Sequence, residues 1–115
     1  MSDNFLRVAQ KEVKKDIEDI ETIIDSCKND SDISANATRI GKHLHKIKGL
    51  APMMGQNDLG EISQLADKLI KHIIAKGPVR DSYQILLESV KTMKQLLNGD
   101  ARNTETLKEK IKQAF

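Results

Sequence analysis

The chain has 115 residues, 31% charged and 3% aromatic, with a net charge of +2. That length suits one domain, residues 1–115, with a core of Leu, Ile, Val and Met, and so small a charge excludes capture of a polyanion by bulk electrostatics. The lone Cys27 excludes an internal disulfide, no apolar run reaches membrane length, and the Met-Ser-Asp-Asn-Phe start lacks a signal-peptide pattern, so a cytoplasmic protein is expected.

Leu6, Ala9, Val13, Ile17, Ile20, Ile24 and Cys27 keep helical spacing through a charged stretch and predict a long amphipathic first helix. Cys27 continues that stripe and reads as a buried thiol. Lys28 to Ser34 reads as a polar loop, with Ser34 capping the next helix. Ile33, Ala37, Ile40, Leu44, Ile47, Ala51 and Met54 form the second stripe. Pro52 cannot donate to Lys48, so the end of that helix should kink or fray. The pair Met53-Met54 reads as core filling.

Asn57 is the expected N-cap of a third helix, with Asp58 and Glu61 at its positive dipole end. Leu59, Ile62, Leu65, Ala66, Leu69, Ile70, Ile73 and Ile74 are its apolar face, and Gly77-Pro78 its end. A fourth stripe (Val79, Tyr83, Leu86, Val90, Met93 and Leu97) stops at Asn98-Gly99. Asn103 should cap a short fifth helix carrying Leu107, Ile111 and Phe115, the one most prone to fray. No segment has the strand period. The expected fold is all-α: an up-and-down antiparallel four-helix bundle with a short fifth C-terminal helix.

The second helix carries the chemistry. Residues 1–30 hold five basic and eight acidic side chains, whereas residues 35–57 hold four basic ones and no acid. His45 follows Leu44, so it points about 100° away from the apolar stripe. Gly41 and Gly49 lie one turn either side of it. Glycine costs about 1 kcal/mol in a helix interior, so a flanking pair implies close approach of another group. His43 and His45 point roughly 200° apart and cannot share a metal. Gly55-x-x-x-x-Gly60 is like the start of a phosphate-binding loop, but Glu61 stands where the lysine is needed. Neither a nucleotide site, a cofactor site nor a metal site is expected.

His45-x-x-Lys48-Gly49, followed six residues later by Gly55, resembles the signature of the histidine phosphotransfer (HPt) domain. The closest similarity is to the N-terminal phosphotransfer domain of CheA-type chemotaxis histidine kinases. The specific part spans about residues 40–70, and helix order extends the likeness over nearly the whole chain. The resemblance implies that His45 accepts the phosphoryl group, that Lys48 helps neutralise it, and that Gly49 is the small residue after that lysine. It places Asp67 where those kinases have a glutamate bonded to the imidazole, and Gln64 where they have a second histidine. Asp67 is one methylene shorter, and Pro52 stands where small residues are common. The implied function is carriage of a phosphoryl group to an aspartate of a response-regulator receiver domain. The implied partners are that receiver and a sensor or chemotaxis histidine kinase. The chain would then be a phosphocarrier, free-standing or the phosphoacceptor domain of a larger kinase.

The residues themselves ask for the same chemistry. A phosphate-carrying histidine exposes one ring nitrogen, while an acceptor holds the other and fixes the tautomer. Asp67 is the expected acceptor, with Gln64 and Lys71 on the same helical face. Lys42, Lys46 and Lys48 supply positive charge, and Lys42, Lys46 and Gly49 should line the partner surface. A monomer that binds neither nucleic acid nor membrane is expected. The alternative is a non-catalytic module whose basic face (Arg39, Lys42, His43, Lys46) contacts an acidic partner or nucleic acid; scarce aromatics and near-neutral charge weigh against nucleic acid.

Overall fold

Ser2 starts the first helix by accepting the Phe5 amide on its hydroxyl. This is a computed structural model, and it describes residues 2–100 and 102–115. Helix α1 (Asp3–Asp25) buries Ala9, Val13, Ile17, Ile20, Ile23 and Ile24, and with them Asp16. Cys27 is buried beyond its end, and burial pushes its thiol pKa up.

The expected loop from Lys28 to Ser34 is instead largely helical. Asn29 accepts the Asp32 amide at 2.9 Å and Asp32 returns to the Lys28 amide at 2.8 Å, which starts α2 (Asp30–Ala35). Ile33 is fully buried, as its place at the head of the second stripe implies, but it belongs to α2 and not to the helix that carries the rest of that stripe. Ser34 therefore caps nothing; Asn36 occupies the cap position of α3 (Ala37–Leu50). Regular helix stops before Pro52, as its missing N–H requires, and Pro52–Met54 form a 3-10 turn closed by Gly55 at φ 75.

Helix α4 (Asn57–Lys76) begins one residue before the expected cap allows. The Gly60 amide donates to the Gln56 carbonyl, so Gln56, not Asn57, is the cap residue. Helix α5 (Ser82–Leu97) starts three residues after Val79 because the chain turns at Asp81, in the left-handed region at φ 66. Asp30 of α2 accepts the Asp81 and Tyr83 amides at 2.9 and 2.8 Å, a cap supplied from 51 and 53 residues away. Helix α6 (Glu105–Ala114) starts where Asn103 accepts the Glu105 amide.

The described residues contain helices and no strand. Helix α1 packs on α3 and α5, α3 packs on α4, and α4 packs on α5, so these four close a ring around one core. The Cα radius of gyration is 13.4 Å, close to the about 13 Å of a compact domain of this size. Helix α6 lies on α4 and α5. It is better anchored than its short stripe implies: Leu107 and Ile111 are buried, and so is Lys108, whose ammonium meets Asp58, Glu61 and Glu105. Three apolar residues expected inside are outside: Met53, Ile74, and Phe115, which lies beyond the end of α6. Among the described residues no helix is long and apolar enough to cross a membrane.

Candidate functional site

Helix α3 presents its two histidines to different neighbours. Ile40, Leu44 and Ile47 are fully buried and fix the helix rotation. His45, one residue past Leu44, is exposed on the side facing α4. It lines an apolar groove of about 490 Å³ with Gly41, Ile70 and Ile74, rimmed by Lys42, Lys46, Lys71 and Asp67.

The flanking glycines differ. A Cβ on Gly41 would lie 3.2 Å from Ile70 Cγ2, so Gly41 is needed for α3 to approach α4. A Cβ on Gly49 would meet nothing within 4 Å. Of the two turns beside His45, the one at Gly49 is open to an outside group, whereas the room at Gly41 is filled from within.

Asp67 is only 2% exposed and shares the groove with His45. Its Oδ2 accepts from Lys48 at 3.1 Å and lies 3.0 Å from the Lys71 ammonium. Among the described residues no hydrogen bond joins it to the His45 ring. Two lysines thus neutralise this carboxylate, and the predicted carboxylate–imidazole bond is not formed. Lys48 is spent on Asp67, while Gln64 stays exposed on α4 and does not line the groove.

The carboxylate–histidine pair lies on the other side of α3. Asp16 of α1 is 1% exposed, and its Oδ1 is 2.8 Å from His43 Nδ1 and 2.9 Å from Lys46 Nζ. The hydrogen bond with Asp16 holds the Lys46 ammonium above the ordinary lysine pKa. His43 and Lys46 are therefore not parts of a free basic face; the acids of α1 take them up. Sequence reading missed Asp16, although one signal was present: a carboxylate at i+3 from Val13 and four before Ile20, on the apolar side of the helix. Asp16, Asp19 and His43 place ligand atoms within 4.8 Å of one another, the spacing of a metal-binding set. The Lys46 ammonium already occupies the cation's place on Asp16, and Arg39 and Lys42 stand beside His43, so the surroundings do not favour a divalent ion.

No protein-family model, curated protein or solved structure matches this chain.

Proposed function

We propose that this chain is a histidine phosphotransfer domain on an up-and-down antiparallel four-helix scaffold. On this reading His45 takes a phosphoryl group from a histidine kinase and passes it to an aspartate of a receiver domain. The observation that carries the reading is the exposed His45 ring on a core-anchored helix, with open space one turn on at Gly49. The motif His45-x-x-Lys48-Gly49 adds the family resemblance.

The chemistry is an in-line displacement. A ring nitrogen of His45 attacks phosphorus and the donor's bond to phosphorus breaks; the receiver carboxylate later attacks and the N–P bond breaks. Such a transfer depends on positioning and charge neutralisation more than on further protein chemistry. Lys42, Lys46 and Lys71 rim the groove where the anionic group would stand. Lys71, which also rims the groove, and Lys48 are engaged by the Asp67 carboxylate before a phosphoryl group arrives. Ile74, exposed at the groove, offers an apolar centre for the receiver, with the lysines as its rim. The alternative of a purely electrostatic binding face loses support, because His43 and Lys46 are bonded to Asp16.

Incubation with a histidine kinase, ATP and a receiver should give an acid-labile phosphate on the wild-type chain and none on His45→Gln. Undiminished kinase-dependent labelling of His45→Gln would overturn the reading.

A further inference from the structure

His43 meets the requirements of a nitrogen nucleophile on grounds separate from the HPt resemblance. Its Nδ1 is 2.8 Å from Oδ1 of Asp16. That carboxylate is buried, and its second oxygen has no hydrogen-bond partner. A carboxylate can only accept, so the Nδ1 that faces it carries the proton, and in the neutral ring the lone pair is on Nε2. The carboxylate also stabilises positive charge that develops on the ring when Nε2 attacks, as a third group does for any oriented histidine. The ring is 24% exposed and lines a cleft of about 240 Å³ with Arg39, Lys42 and Thr22. Arg39 and Lys42 line that cleft with Asp19, so its lining carries one net positive charge, which suits an incoming anion.

We propose that His43 is a second phosphoacceptor, taking a phosphoryl group on Nε2 directly from small donors of the phosphoramidate class, with Asp16 as its positioning residue. The Nε2 lone pair forms the new N–P bond. The donor's P–N bond breaks and its electron pair leaves on ammonia. The phosphorylated ring carries one positive charge and keeps its Nδ1 proton, hydrogen-bonded to Asp16. Nothing is oxidised or reduced. The proposal does not rest on the reading of His45, and its test removes that residue.

The probe is potassium phosphoramidate, applied to the folded His45→Gln chain, to the same chain with Asp16→Asn, and to it with His43→Asn. Phosphorus NMR identifies the nitrogen modified, and peptide mapping at alkaline pH identifies the histidine. His72, half-buried near Phe115, is the internal reference. His43 should be labelled about tenfold faster than His72, and Asp16→Asn should remove that advantage. The product on His43 should be the Nε2 isomer alone, because Asp16 covers Nδ1. Labelling of His43 no faster than His72, an Nδ1 product, or a rate indifferent to Asp16→Asn would each overturn the proposal. Should Asp16→Asn not fold, the isomer formed on the chain with native Asp16 decides. Loss of kinase-dependent labelling in His45→Gln alongside phosphoramidate labelling of His43 separates the two acceptors.

Discussion

Gly41 and Gly49 sit symmetrically about His45 in sequence and play different physical roles. Replacing a mid-helix glycine by alanine removes backbone freedom from the unfolded chain and gains up to about 1 kcal/mol. At Gly49 nothing opposes the gain, since the added methyl meets no atom within 4 Å. We expect Gly49→Ala to raise unfolding free energy by about 0.5–1 kcal/mol in urea titrations. At Gly41 the methyl would press on Ile70 Cγ2, part of a fully buried, stiff, β-branched side chain. Gly41→Ala should therefore lose stability, by about 1 kcal/mol. Equal gains at both sites would show that α3 and α4 have slack between them. If the space at Gly49 receives a partner, Gly49→Leu should slow transfer from His45 while keeping the fold.

Helix α6 shows how a buried charge can hold an element in place. Lys108 lies between Leu107 and Ile111, its side chain 5% exposed. Burial alone would pull its ammonium pKa down, but hydrogen bonds to Glu61, Asp58 and Glu105 together outweigh this and hold it above the ordinary lysine range. Two of those acids are on α4, so the cluster joins α6 to the start of that helix. Lys108→Met keeps the aliphatic bulk and removes the bonds. The three acids are more than half exposed and regain water, so the loss should be about 1–2 kcal/mol. Hydrogen exchange should show α6 amides opening about tenfold more often, with α1 little changed. The pKa is raised on folding, so the contribution is fully present below the unfolded lysine value of about 10.4 and is lost as pH rises through the higher folded one. Protection of α6 by Lys108 should thus not fall between neutral pH and about pH 10. A fall within that window would contradict the sign.

Across the whole molecule, charge is sorted by helix: α1 is acidic where it meets the basic α3. This leaves Lys42, rather than Lys46, as the freer rim charge between the two clefts that flank α3. Charges on an interface rim mainly set the association rate and its salt dependence. Lys42→Glu should slow transfer from His45 to a receiver several-fold at low ionic strength, with the difference shrinking as salt approaches about 0.5 M. A rate unaffected at every ionic strength would place the docking surface elsewhere. Lys46→Glu is a poorer probe, because it sets a second carboxylate against buried Asp16.

Helical periodicity made the all-α class, the main helices and the exposure of His45 legible from sequence alone, because which side of a helix faces inward is a local property of spacing. Pro52 and Gly77 marked their boundaries for the same reason: φ limits and a missing donor act on the residue itself. Helix α2 escaped notice because its one buried residue, Ile33, falls in register with the stripe of the next helix, and the caps that Asn29 and Asp32 supply to the Asp32 and Lys28 amides make no stripe. The start of α5 depends on Asp30, which only the folded chain brings to Asp81 and Tyr83. The expected Asp67–His45 bond is absent because the lysines that claim Asp67 come from two helices, and their reach is a tertiary matter. So is the carboxylate–histidine pair: 27 residues separate Asp16 from His43, and only packing of α1 on α3 decided that His43 holds a buried acid while His45 stands free.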